Sequence, residues 1–146
     1  MTIEHTGSPK MTSDIGNRSF SILVIEDVRM IYDVIERTLS DLDVDYVFAQ
    51  DGLAAIEDLE DPTKAVPDLI ILDLALPLVD GWEVLRRVRA DTRTQNVPVL
   101  IITAHGQSGL ERELMSLGAK AFLDKPFRPK ALRAAVYELL GVEAPQ

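Results

Sequence analysis

At 146 residues, with a formal net charge of −9 and no cysteine, the chain has room for one full hydrophobic core. That composition excludes a disulfide framework, a thiolate metal site and a thiol nucleophile, and the acidic balance speaks against a nucleic-acid surface, which needs clustered Lys and Arg. No apolar stretch approaches the roughly 18 residues of a membrane span and the N-terminus lacks the apolar segment of a signal peptide, so a cytoplasmic protein with no membrane contact is expected.

Residues 1–18 are polar, carry Gly7, Ser8, Pro9 and Gly16 without an apolar period, and read as a flexible extension. Phe20 to Ile25 is then a nearly unbroken apolar run that stops at Glu26-Asp27, the pattern of a strand covered on both faces. From Arg29 to Leu42 the apolar residues Ile31, Val34, Ile35, Leu39 and Leu42 recur at helical spacing. Asp45 to Ala49 is a second short strand, and Gln50-Asp51-Gly52 turns into a helix with Leu53, Ile56 and Leu59 on one side, ended by Pro62. Leu69 to Leu72 is a third strand that ends on a lone carboxylate, Asp73, and breaks into a loop with Pro77 and Asp80-Gly81. Asp80 and Glu83 have the spacing of a capping box, ahead of an apolar side made by Trp82, Val84, Leu85 and Val88. Val97 to Ile102 is a fourth buried strand ending on Thr103-Ala104. Ser108 with Glu111 repeats the capping pattern, Leu110, Leu114 and Leu117 give a helical face, and Gly118 is placed to stop that helix. Ala121 to Leu123 is a fifth strand, followed by Asp124-Lys125-Pro126. The last helix runs from about Pro129 to Leu140, with Leu132, Ala135, Val136, Leu139 and Leu140 on one face, Gly141 as its stop and residues 142–146 as a short tail.

Five strands alternating with five helices need crossover connections, hence a parallel sheet with helices on both faces. Right-handed crossovers narrow the expectation to an α/β doubly wound, flavodoxin-like (βα)5 domain over residues 19–141, with strand order 2-1-3-4-5. In such a sheet all carboxyl ends open on one edge, where Glu26, Asp27, Asp73, Thr103 and Lys125 fall. Each has an ordinary explanation taken alone: a turn cap for Asp73, a helix start for Glu26 and Asp27, a strand-end Thr103, a solvated Lys125. Gathered on the ligand-binding edge, three carboxylates repel unless a cation neutralises them, and Mg²⁺ is the oxygen-seeking ion that accepts an incomplete protein cage. With His5 and His105 as the only histidines, zinc or copper has little support. A carboxylate beside Mg²⁺ can take a phosphoryl group, with Lys125 and Thr103 supplying a cation and a hydroxyl to its oxygens.

The stretches SILVIEDVRMIYDVIERTL, LIILDLALPLVDGWEVLRRVR, VPVLIITAHG and GAKAFLDKPF, in this order and spacing, resemble the receiver domain of two-component response regulators, the CheY-like superfamily. The resemblance implies that Asp73 is the phosphoacceptor and that Glu26, Asp27, Asp73 and the backbone carbonyl of Ala75 position Mg²⁺. It implies that Lys125, in a cis bond to Pro126, contacts the phosphoryl group and that Thr103 and Phe122 are a switch pair. Thr103 moving toward the phosphoryl oxygens would open space for Phe122, reshaping the face made by the fourth helix, fifth strand and fifth helix, where a downstream protein target would bind. The implied donor is a histidine kinase or a histidine phosphotransfer protein.

Four positions depart from the commonest family pattern. Glu26 stands for the first of two Asp residues, Leu76 for the usual Met, and Ala75 and His105 flank the phosphoryl approach. The implied function is a single-domain response regulator, since no output domain fits after Leu140, and not an enzyme beyond its own phosphorylation and slow autodephosphorylation. Two other readings stay open. A Mg²⁺-dependent phosphatase with an aspartyl-phosphate intermediate would carry a second carboxylate two residues after Asp73, where Ala75 stands. A pseudo-receiver that binds partners without phosphorylation would not need Asp27, Asp73, Thr103 and Lys125, all present. Ala75→Asn and His105→Glu are expected to change the lifetime of an aspartyl phosphate. Dephosphorylation rates equal to those of the native chain would refute a tuning role for the two positions.

Overall fold

The structure, a computed structural model, describes residues 3–6, 19–104 and 110–143. In chain order it contains β1 (Ile3–Thr6), β2 (Ser19–Ile25), α1 (Arg29–Thr38), β3 (Asp43–Ala49), α2 (Gly52–Glu60) and β4 (Leu69–Asp73). There follow α3 (Gly81–Ala90), β5 (Val99–Thr103), α4 (Leu110–Ser116), β6 (Ala121–Asp124) and α5 (Pro129–Leu140). The strands form one sheet in the order β1-β3-β2-β4-β5-β6. Its five parallel members reproduce the doubly wound order expected from the sequence.

Burial explains why the central strands read as unbroken apolar runs. In β4 and β5 every residue is buried, because side chains alternate between two covered faces. Leu23, Ile25, Ile70, Leu72, Val99 and Ile101 face one cluster with residues of α2, α3 and α4. Ile22, Val24, Leu69, Ile71, Leu100 and Ile102 face the other, with residues of α1 and α5.

Several expectations need correction. Residues 3–6, read as part of a flexible extension, form an antiparallel strand on the outer edge of β3, with Ile3 opposite Ala49 and Thr6 opposite Tyr46. Its four residues, IEHT, include one apolar side chain, so no apolar period marks them. Helix α1 stops at Thr38, with Leu39 already out of helical conformation. On α2 the buried side belongs to Ala54, Ala55, Ile56 and Leu59, whereas Leu53 is 45% exposed. On α4 Leu114 is buried, while Leu117, just beyond the helix, is exposed. Gly118 and Gly141 do lie beyond their helices with positive φ. Asp80 caps α3 by accepting from Glu83 N at 3.0 Å, but the Glu83 carboxylate turns to Arg86 and Arg87 instead of closing the box. Ser108 lies outside the described residues.

The start of α2 is packed tightly on the β4–α3 loop. Its first residue, Gly52, lies so close to the β4–α3 loop that a Cβ there would sit 1.8 Å from the Val79 carbonyl oxygen. Gly52 N also donates to the Pro77 carbonyl at 3.4 Å, so helix and loop are joined backbone to backbone. Gly52→Ala is therefore expected to destabilise the fold by about 2 kcal/mol, in the range of overpacked sites. Urea denaturation at neutral pH checks this, and a native midpoint in the variant would contradict it.

Candidate functional site

The acidic edge is assembled by the ends of two adjacent strands, β2 and β4. Glu26 continues β2, its N–H bonding the Ala49 carbonyl at 3.0 Å, so its side chain is carried into the sheet edge with no exposed surface. Its Oε2 accepts from Val28 N at 2.9 Å, which shapes the turn into α1, while the Tyr32 hydroxyl of α1 donates to the Glu26 carbonyl. Asp73 closes β4 in register with Ile102 and is 3% exposed. Asp27 faces solvent. Carboxylate oxygens of Glu26, Asp27 and Asp73 lie within 4.8 Å of one another.

Lys125 closes this cluster. It follows β6, its N–H bonding the Thr103 carbonyl at 2.7 Å, and its peptide bond to Pro126 is cis. Its Nζ donates to Glu26 Oε1 at 2.5 Å and to Asp73 Oδ2 at 3.0 Å. Burial pushes the Glu26 carboxyl up to about 7, with Asp73 adding repulsion, against the lowering effect of the bonds from Lys125 and Val28. Burial opposes the charge on Lys125, but its bonds to the two carboxylates outweigh this and hold the ammonium above the ordinary lysine value. Counting these four groups, one ammonium faces three carboxylates, a formal surplus of two negative charges. An all-oxygen donor set with that surplus fits a hard divalent cation.

The loop from β4 to α3 lies over Asp73. Ala75 N donates to Asp73 Oδ1 at 3.1 Å, and the Leu76 and Gly81 N–H groups both bond the Leu74 carbonyl. Leu76 and Val79 turn into the core, while Leu78 stands 76% exposed with φ +69°. For a residue with a Cβ this left-handed conformation costs about 1–2 kcal/mol.

Thr103 and Phe122 share one face of the sheet. Phe122 is in register with Ile101, two residues before Thr103, so the two side chains fall on the same face of neighbouring strands. Thr103 is buried and Phe122 is partly buried against the cluster with α2, α3 and α4. Of the residues expected to matter, the structure thus gathers Glu26, Asp27, Asp73 and Lys125 directly, with Ala75 above them and the Thr103–Phe122 pair alongside. His105 lies outside the described residues. Sequence reading missed Tyr32, which belongs to no motif that marks it, and Leu78, because no sequence signal marks a left-handed leucine.

The sequence profile described as response regulator receiver domain matches residues 22–137. The chain belongs to that family. It is 40% identical over 119 residues to the DNA-binding dual master transcriptional regulator RpaA of Synechocystis sp., a match covering 82% of this chain and 48% of RpaA. It is 30% identical over 121 residues to the chemotaxis protein CheY1 of Helicobacter pylori, covering 82% of this chain and 96% of that protein. The chain spans less than half the length of several curated relatives, including RpaA and, at 33%, the Synechocystis response regulator Rre1. Among solved structures, the receiver domain of sensor histidine kinase PA1611 from Pseudomonas aeruginosa superposes with a TM-score of 0.73 at 28% identity, covering 85% of this chain and 99% of that one. That crystal structure has a magnesium ion coordinated in its active site cleft. Among the described residues of the present chain, no helix is long and apolar enough to cross a membrane.

Removing Lys125 would leave two buried carboxylates face to face. Lys125→Met is expected to destabilise the chain by about 3 kcal/mol, the low end for a broken buried pair because the lysine keeps some contact with water. Adding Glu26→Gln should recover most of the loss. Urea denaturation of both variants in EDTA checks this, and an unperturbed single variant would contradict it.

Proposed function

We propose that this receiver accepts a phosphoryl group on Asp73 from a phosphohistidine of a histidine kinase or histidine phosphotransfer protein and, once phosphorylated, alters a protein-binding face. The observation that carries this reading is the Lys125 ammonium held between Glu26 and Asp73 at the sheet edge, beside Asp27. An Asp73 oxygen forms the new O–P bond as the donor's P–N bond breaks and its electron pair stays on the imidazole nitrogen. Lys125 is already within reach of an Asp73 oxygen, so its ammonium is placed to meet a phosphoryl oxygen bound there. The Ala75 N–H bonds the other oxygen and fixes the carboxylate's orientation. Mg²⁺, held by Glu26, Asp27, Asp73 and the Ala75 carbonyl, would draw charge from the phosphoryl oxygens as they approach the acidic edge.

The shared face of Thr103 and Phe122 supports their reading as a switch pair. The Thr103 hydroxyl moving toward a phosphoryl oxygen leaves room for Phe122 to turn inward, and α4, β6 and α5 present the changed surface to a target protein. Ala75 supplies no carboxylate to activate water, which favours a phosphoacceptor whose product is a signal over a phosphatase; Ala75 and His105 tune the lifetime of that Asp73 phosphate. The complete acidic set also favours phosphorylation over a pseudo-receiver. This chemistry belongs in the cytoplasm, where kinases find ATP, and serves only the chain's own phosphorylation and slow dephosphorylation.

Incubation with acetyl phosphate and Mg²⁺ is expected to give an acid-stable, base-labile adduct that is absent in Asp73→Asn and after Mg²⁺ chelation. An adduct that persists in Asp73→Asn would refute the assignment, and multiple turnover of a phosphate ester would favour the phosphatase.

A further inference from the structure

Among the described residues, six large apolar side chains are exposed: Val28, Met30, Leu53, Leu78, Met115 and Leu117. The first four all follow the carboxyl ends of strands. Val28 and Met30 come after β2, Leu53 is in the first turn of α2 after β3, and Leu78 comes after β4. They therefore lie on the same edge of the sheet as Asp73. Leu78 is the most exposed at 76%, and it also holds the left-handed backbone at φ +69° that glycine or asparagine adopts at little cost.

A free loop would relax out of that conformation, but this one is fixed on both sides. Leu76 and Val79 are packed into the core, Gly81 N bonds the Leu74 carbonyl, and Gly52 presses on the Val79 carbonyl while bonding Pro77. Between two inward residues, Leu78 is turned outward. An exposed leucine in a conformation that disfavours leucine gains nothing within this chain. Strain kept in this way is a pointer to function.

The occupant follows from the place. Asp73 is 3% exposed, so a phosphohistidine must come down on this edge to reach it, and the donor's surface then passes over the loop five residues on. We propose that Leu78 is a specificity-determining contact for the donor protein: an apolar anchor entering an aliphatic recess beside the donor's phosphohistidine, with Val28, Met30 and Leu53 forming the rest of an apolar rim. This rests on the receiver reading of Asp73. Burial of an apolar anchor at the centre of a contact gives affinity that a small phosphodonor does not use.

The test compares the native chain, Leu78→Asn and Leu78→Met with two donors: acetyl phosphate, and the autophosphorylated histidine kinase that transfers fastest to the native chain in a panel of purified kinases. In Leu78→Asn the ratio of kinase-driven to acetyl phosphate-driven rate is expected to fall tenfold or more, through a higher half-saturating kinase concentration. Leu78→Met should restore the native ratio. The unfolding midpoint of Leu78→Asn should stand at or above the native value, which separates lost recognition from lost fold. A ratio within twofold of native in Leu78→Asn overturns the inference and leaves the receiver reading intact. So does a native chain labelled by acetyl phosphate and by no kinase of the panel, or a native dimer that Leu78→Asn dissolves, which would make a second copy the occupant. Failure of both donors to label Asp73 overturns the receiver reading and this inference with it.

Discussion

One lysine ammonium shared by two buried carboxylates governs the chemistry of this sheet edge. Glu26 and Asp73 are brought together by adjacent parallel strands, and in a low-dielectric setting their mutual repulsion opposes folding. Lys125, arriving from the far strand β6, offsets part of that cost. It does not remove the surplus negative charge, because Asp27 adds a third carboxylate. The edge is left ready to accept further positive charge, which a hard divalent cation would supply.

The rest of the molecule serves to hold those strand ends in register. Two apolar layers cover β2, β4 and β5, so the strands do not slide without turning whole side-chain sets to the wrong face. Tyr32 ties α1 to the Glu26 carbonyl, and Arg89 of α3 donates to the carbonyls of Gly118 and Val97, fixing the turn between α4 and β6. Gly52 packs closely on Val79 and bonds Pro77 in the β4–α3 loop, whose Ala75 N–H bonds Asp73. The same packing leaves Leu78 outward in a strained backbone. Rigid support and local strain are thus two consequences of one contact.

Much of the fold was legible because its period is so regular. Unbroken runs such as LIILD mark strands covered on both faces, and the 3.6-residue pattern of α5 marks its buried side, although Tyr137 is buried there too and went unread. The misreadings share a cause. Leu53 and Leu117 sit at helix ends, where an apolar residue can point away from the core without breaking the pattern, and residues 3–6 pair through backbone groups that any sequence possesses.

The sequence by itself determined the alternation of strands and helices and, through the parallel strand direction that such crossovers impose, that Glu26, Asp27, Asp73, Thr103 and Lys125 share one edge. Family motifs added the roles expected of them. Only the tertiary structure decided that Lys125 bonds both Glu26 and Asp73, that Glu26 is fully buried while its neighbour Asp27 is not, and that Leu78 is held left-handed in solvent. The reason is physical: the order of strands follows from local periodicity, whereas which carboxylate takes the ammonium, and which loop residue is strained, depends on packing between segments far apart in the chain.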